Sequence, residues 1–259
     1  MPKVQILWLK INTERQHEVL ELIDELVQAR RPAQVVTVNP EFFYLAKKDE
    51  ELRAIINGAA IATADGIGVC KASALLRTTP RVSERVTGSD MVWPLMALAE
   101  RRGYRVFFLG AGPGVAERAA AVVRSRHPAI AIDTYAGFPT VDRGRCDGGP
   151  DDPNRDILER LRAARPDLLL VAYGCPKQEK LIHYYKDRLE IPVSVGVGGT
   201  LDFVAGVARR APLAVQRLGL EWAYRLAREP RRIRRQAPSE LCFVGSVLAR
   251  MARDRLIGR

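Results

Sequence analysis

Two short apolar runs, Val35–Val38 and Ala59–Thr63, constrain this chain more than any other feature. Both are rich in β-branched and small residues without clean alternation, the pattern of strands buried on both faces of a parallel sheet. Polar side chains stand at or just past their ends: Thr37 and Asn39 at the first, Asp65 at the second. Ligands of open α/β sheets bind outside the carboxyl ends of the strands. Three polar groups at two such ends make a candidate reaction centre.

Strand and helix signals alternate along most of the chain. Strands are expected at Val4–Leu9, Arg105–Leu109, Ile130–Tyr135, Leu168–Tyr173 and Val193–Val195. Helices are expected at Glu14–Gln28, after the Asn39-Pro40 turn, and at Glu51–Asn57, Ser89–Arg101 with Ser89 as N-cap, Gly114–Arg126, Ile157–Ala164 and Lys177–Arg188. Asp142–Pro153, rich in Asp, Gly and Pro, reads as a mobile surface loop. This order predicts an α/β fold with a largely parallel sheet and helices on both faces. From Ala211 the pattern turns helical only, over Leu213–Arg228 and Ser239–Leu256 with a break at Glu229-Pro230. The expected organisation is an α/β catalytic domain over 1–210 and a helical appendage over 211–259, too small and charged to bury a core alone.

Charge marks the same boundary. The formal net charge is +11, yet residues 209–259 hold 13 arginines, no lysine and four acidic residues. The remainder is almost balanced. Arginines 217, 225, 228, 231, 232, 234 and 235 interleave with Leu218, Trp222, Tyr224 and Ile233, a pattern suited to an anionic membrane interface. Nucleic acid is the rival partner, but no DNA- or RNA-binding module is recognisable. Helices docked on the main domain are the plainer alternative. No apolar run approaches the roughly 18 residues of a membrane span, and no secretory signal is evident. Cys70, Cys146, Cys175 and Cys242 are scattered, which suggests reduced thiols rather than a disulfide frame or zinc site.

Several turns carry possible chemistry. Gly110-Ala111-Gly112-Pro113-Gly114 follows a strand and opens a helix, but it is not the G-x-G-x-x-G dinucleotide fingerprint. A nucleotide-dependent dehydrogenase is therefore a weak alternative, and a tight turn is as good a reading. Gly196-Val197-Gly198-Gly199-Thr200 follows another strand and favours phosphate or sugar binding. In Tyr173-Gly174-Cys175-Pro176-Lys177-Gln178-Glu179-Lys180, Gln178 can turn back to the sheet edge, or the segment is a solvated first turn with Glu179 on the helix dipole. Arg85, before Thr87 and Ser89, can pair with phosphate or sit on a surface loop. Asp65 alone would read as an Asx-turn or N-cap. The three histidines, His17, His127 and His183, fall in or at the ends of helices, so a general base here is a carboxylate. There is no D-x-D, H-E-x-x-H or P-loop, hence no signature for a metal.

Taken together, VVTVNPEFFYLA, ATADGIGV, RVTGSD, VFFLGAGPGVAERAA, YGCPKQEK, GVGGTLDFVAG and RRAPLAVQRLGLEWAYRLAREPRR resemble the signatures of the bacterial WecG/TagA/CpsF glycosyltransferases, from about Val4 to Arg235. Cys175 stands where a small residue such as Ala or Ser is expected, and the Asp142–Pro153 loop is longer than typical. The resemblance implies a Rossmann-like, inverting enzyme that needs no metal or other cofactor. It would move an N-acetylmannosamine-type sugar from a UDP-sugar to polyprenyl-diphosphate-linked N-acetylglucosamine, for teichoic acid linkage units or other surface polysaccharide. The location implied is peripheral, on the cytoplasmic face of the cell membrane. By position, Asp65 becomes the base, and Thr37 and Asn39 line the sugar pocket. Arg85, Gln178, Gly198, Gly199 and Thr200 become ligand contacts, and Arg217, Arg225 and Arg228 reach the diphosphates. An anionic membrane surface and a second copy of the chain are further expected partners; nucleic acid is not.

Overall fold

The computed structural model describes residues 1–217, 221, 223–224 and 233–256, except the side chains of residues 213, 217, 234 and 235. Six parallel strands form the central sheet: β3 (Ala33–Val38), β4 (Ile61–Ala64), β5 (Arg105–Gly110), β6 (Ala131–Tyr135), β7 (Leu168–Ala172) and β8 (Val193–Gly196). Their spatial order is β4-β3-β8-β7-β5-β6, with Thr37 in register with Thr63 and Val36 with Gly196. Alternate residues feed two cores. Leu168 and Leu170 of β7 join one, and Leu169 and Val171 join the opposite one. Both faces are covered, which explains why the strands read as unbroken apolar runs.

Helices α1 (Gln16–Ala29), α5 (Gly88–Arg102), α6 (Val115–Arg126) and the short α9 (Thr200–Val204) cover one face. On the other lie α2 (Pro40–Lys48), α3 (Glu50–Gly58), α4 (Ile67–Leu75), α7 (Arg155–Ala164) and α8 (Lys177–Leu189). Helix α10 (Leu213–Arg217) follows the sheet, and α11 (Ile233–Leu256) closes the described chain. The start of α2 is fixed locally. Asn39 Oδ1 accepts from the Glu41 amide at 2.9 Å, and Pro40 takes the first helical position, where no amide hydrogen is needed.

Four expectations are corrected. Val4–Leu9 is not one strand but a hairpin of β1 (Lys3–Ile6) and β2 (Leu9–Asn12), turned at Leu7 with φ 53°. A left-handed leucine carries no Asn or Gly signal, so the turn is invisible in sequence. The N-cap of α5 is Thr87, whose Oγ1 accepts from the Asp90 amide at 3.0 Å, rather than Ser89. Asp90 in turn accepts from that hydroxyl, reinforcing the cap from the helix's first turn. The loop 142–153 is pinned rather than free. Asp152 is buried and accepts from Tyr185 Oη at 2.7 Å and from the Gly148 and Asn154 amides, while Asn154 donates to Thr140 O and Tyr185 Oη. Finally, the last helix covers Ile233–Leu256 among the described residues rather than Ser239–Leu256, and holds Pro238 inside it. Most of the expected helix Leu213–Arg228 lies outside the described residues.

Helix α11 docks on the main sheet layers. Phe243 and Val247 are buried against α2, with the Phe243 ring 4.7 Å from that of Phe43. Its other side leaves Leu241, Val244 and Leu248 exposed.

Candidate active site

A cavity of about 350 Å³ opens at the carboxyl ends of β3, β4, β7 and β8. These four strands are consecutive in space, so residues from 37 to 200 converge there. Thr37, Asn39, Asp65, Arg85, Gln178, Gly198, Gly199 and Thr200 all line it. Arg225 and Arg228 lie outside the described residues, as does the side chain of Arg217.

Each side chain is held by its element. Thr37 Oγ1 donates to the Gly196 carbonyl at 3.0 Å, which ties β3 to β8. Asn39 is both a cavity residue and the cap of α2. Asp65 follows β4, and its amide donates to the Val38 carbonyl at 2.8 Å. Gly66 then takes φ 128°, a conformation open to glycine that redirects the chain into α4. Thr200 Oγ1 donates to Val197 O at 2.8 Å, closing the glycine-rich turn on itself. That turn is not a bare anion nest, because the Gly198 amide is already taken by Gln178 Oε1 at 3.0 Å.

Gln178 is turned back to the sheet edge, as one of its two sequence readings required. Glu179 is not the solvated first-turn acid of the other reading: it is fully buried. Burial pushes its carboxyl up to about 7, although the Gln178 amide works against that rise. Cys175 beside it is raised well above an ordinary thiol, by burial first and then by the neighbouring Glu179.

The cationic wall contains residues that sequence reasoning missed. Arg210 and Lys71 line the cavity with Arg85. Arg85 Nη2 donates to Gln216 Oε1 at 3.0 Å and faces Glu221 at 3.4 Å and Asp90 at 3.5 Å. Arg210 pairs with Asp90 at 2.7 Å and Glu221 at 3.5 Å. Burial pushes the Asp90 carboxyl up, but the Arg210 hydrogen bond and charge outweigh it and hold Asp90 below the usual carboxylate range. This network joins Arg85 and the α5 start to Arg210, Gln216 and Glu221. Helix α11 adds Gln236, Ser239 and Glu240 to the wall, and burial raises the Glu240 carboxyl. Lys71 and the α11 residues carried no local motif and reach the cavity only through tertiary packing, whereas Arg210 lies in the RRAPLAVQRL segment without having been singled out.

One suggestive glycine motif stays outside. The Gly110–Gly114 turn sits at the end of β5 and does not line the cavity. Gly110 is needed there because an added Cβ would lie 2.7 Å from the Tyr173 ring. No histidine lines the cavity among the described residues. The four cysteines are free thiols, and no cluster of three or more His, Cys, Asp or Glu suited to a metal occurs among the described residues. No described helix is long and apolar enough to cross a membrane.

A doubly covered parallel sheet, with carboxylates, amides and cations lining one cavity at its strand ends, defines an α/β protein with a polar ligand site. The chain belongs to the glycosyl transferase WecG/TagA/CpsF family, whose sequence profile matches residues 4–256. It is a glycosyltransferase, which sets aside the dehydrogenase and nucleic-acid-binding alternatives. It is similar to the N-acetylglucosaminyldiphosphoundecaprenol N-acetyl-β-D-mannosaminyltransferase of Bacillus subtilis (strain 168), with 34% identity over 203 residues, 78% of this chain and 74% of that one. Enzymes of the same name from Bacillus spizizenii (strain ATCC 23059 / NRRL B-14472 / W23) and Staphylococcus aureus (strain MW2) are 32% and 30% identical. Those matches span 87% and 90% of this chain and 82% and 87% of the relatives.

Proposed function

We propose that this enzyme transfers N-acetylmannosamine, with inversion, from a UDP-sugar to undecaprenyl-diphosphate-linked N-acetylglucosamine, in teichoic acid linkage-unit or related surface-polysaccharide synthesis. The observation that carries the reading is the convergence of Asp65, Thr37, Asn39 and Gln178 with Lys71, Arg85 and Arg210 around one cavity. The names of the relatives supply the donor sugar and the acceptor.

In this mechanism the acceptor hydroxyl attacks the anomeric carbon from the face opposite UDP. The new C–O bond forms as the bond to UDP breaks, and Asp65 takes the hydroxyl proton. Thr37 and Asn39 orient the sugar through the oxocarbenium-like transition state. UDP leaves with added negative charge, which Lys71, Arg85 and Arg210 offset. Arginine suits this role because its fork of donors matches phosphate oxygens. With three cations at the cavity, transfer is expected to proceed without a divalent metal.

The acceptor lipid brings the enzyme to a membrane surface. The exposed Leu241, Val244 and Leu248 on α11, with Arg250 and Arg253 on the same helix, suit a peripheral contact with anionic lipid on the cytoplasmic face. The test is UDP release from UDP-N-acetylmannosamine with a short-chain prenyl-diphosphate N-acetylglucosamine and EDTA present. Acceptor-dependent release supports the reading. Release that is acceptor-independent, or that requires added Mg²⁺ or Mn²⁺, overturns it.

A further inference from the structure

The amide of Gln178 is unusually constrained. Its Oε1 accepts two backbone hydrogens, from Gly174 and Gly198, each at 3.0 Å. Two donors converging on one atom settle which end of the amide is oxygen. Its Nε2 donates one hydrogen to Glu179 Oε1 at 2.7 Å. One Nε2 hydrogen is left, on a side chain that lines the cavity. A hydrogen bond from Gln178 to a ligand is therefore one in which its amide donates.

Glu179 does not line the cavity and is fully buried, with the Gln34 amide donating to its backbone carbonyl at 3.0 Å. Its Oε2 has no hydrogen-bond partner. A buried carboxylate with an orphaned oxygen is costly, and the side chains that hydrogen-bond it are Gln178, at 2.7 Å, and the Cys175 thiol. The space around the pair is fitted as well: a Cβ on Gly196 would fall 2.6 Å from Gln178 Nε2 and 2.8 Å from Glu179 Oε1.

We propose that Glu179 is a positioning residue for sugar transfer, holding the Gln178 amide so that its remaining hydrogen meets an acceptor oxygen of the bound sugar-diphosphate. Because Glu179 touches no ligand, its effect passes through Gln178. The inference rests on the cavity being the transfer site. The ionisable groups that bear on Glu179 are Cys175 from the turn before α8 and Glu41 from α2. Neither is a cation, so ionised Glu179 draws on hydrogen bonds from Gln178, its own backbone amide and the Cys175 thiol, Gln178 first among them, and polarises the Gln178 amide in return.

Two measurements test this separately from the reaction assignment. In protein labelled with ¹⁵N-glutamine, the Gln178 side-chain amide, assigned by Gln178→Ala, should show one downfield proton that shifts with pH near 7. Glu179→Gln should abolish that titration. A Gln178 proton pair that is unchanged between wild type and Glu179→Leu at every pH overturns the proposal, whatever the enzyme's substrate. In kinetics, Glu179→Leu and Gln178→Ala should each lower kcat/KM about 10- to 100-fold, the range of a hydrogen bond to a charged group. The double variant should lose no more than either alone. Glu179→Gln, which still offers an amide oxygen to Gln178, should recover most of the rate. Additive losses, or full activity in Glu179→Leu, overturn the proposal. A melting temperature of Glu179→Gln no lower than that of wild type separates positioning from folding. A wild-type enzyme inactive with UDP-N-acetylmannosamine counts against the proposed function alone, and the amide titration still decides the role of Glu179.

Discussion

Replacing Phe243 by alanine should open the active site from behind. Phe243 is 3% exposed, its ring is tilted 49° to that of Phe43 at 4.7 Å, and an added Cβ on Gly68 would lie 3.8 Å from its ring. Phe→Ala in a core costs about 3–5 kcal/mol. Helix α11 is peripheral and can relax, so the lower end, about 3 kcal/mol, applies. Burial of Phe243 and Val247 contributes about 1.5–3 kcal/mol each, opposed by the cost of ordering the helix. The substitution thus removes at least half of what holds α11 in place, and about 3 kcal/mol is two powers of ten in a docking equilibrium. Since Gln236, Ser239 and Glu240 wall the cavity from this helix, kcat/KM should fall at least about tenfold. Hydrogen exchange should accelerate across 233–256 while β3 and β7 stay protected. If exchange accelerates and kcat/KM holds within twofold, α11 is no part of the working site. If neither changes, the packing argument itself fails.

Three further outcomes follow from the same geometry. Asp65→Asn should lower turnover by roughly 10²–10⁴ while UDP affinity by calorimetry stays near wild type; near-normal turnover removes Asp65 as the base. Leu241→Glu, Val244→Glu and Leu248→Glu combined should weaken sedimentation with anionic liposomes yet spare activity on a short-chain acceptor, because these side chains are exposed and do not line the cavity; unchanged sedimentation refutes the contact. Burial raises Glu179 from 4.5 to about 7, so the folded state binds this proton more tightly than the unfolded chain. Its contribution is therefore fully present below about pH 4.5 and is lost as pH rises through 7, about 3 kcal/mol at most. Glu179→Gln should accordingly gain melting temperature relative to wild type between pH 5 and pH 8, and a gap independent of pH contradicts the assignment.

How much of this was legible in the sequence depended on how local each cause is. Strands β3 and β4 were legible to within two residues because burial on both faces writes an unbroken apolar run. The Asn39-Pro40 start of α2 was legible because capping and proline chemistry act within three residues. The β1–β2 turn was not, since its left-handed residue is a leucine. Glu179 reads as a helix-dipole acid in the first turn of α8, and nothing nearby says that β3 and β8 bury it. Lys71, Arg210 and Glu240 belong to segments far apart in sequence, and only packing brings them together.

The same distinction explains which expected residues share the cavity. Thr37, Asn39, Asp65, Gln178 and the 198–200 turn follow β3, β4, β7 and β8, and a parallel sheet delivers all four carboxyl ends to one side. The Gly110 turn follows β5, which lies beyond β7 from this group, so an equally suggestive glycine motif falls outside. Strand order, rather than motif strength, decides membership. Sequence names residues at strand ends, but the β4-β3-β8-β7 adjacency is set by long-range pairing and side-chain burial on both faces. The cationic wall then comes from segments at the periphery: the α4 start, the approach to α5 and the chain after α9. In the proposed mechanism such a site has its proton acceptor, Asp65, just past β4, and part of its charge stabilisation on the network that joins Arg210, Gln216 and Glu221 to Arg85 and Asp90. Loosening that network through Asp90 should therefore disturb leaving-group stabilisation before it disturbs the base.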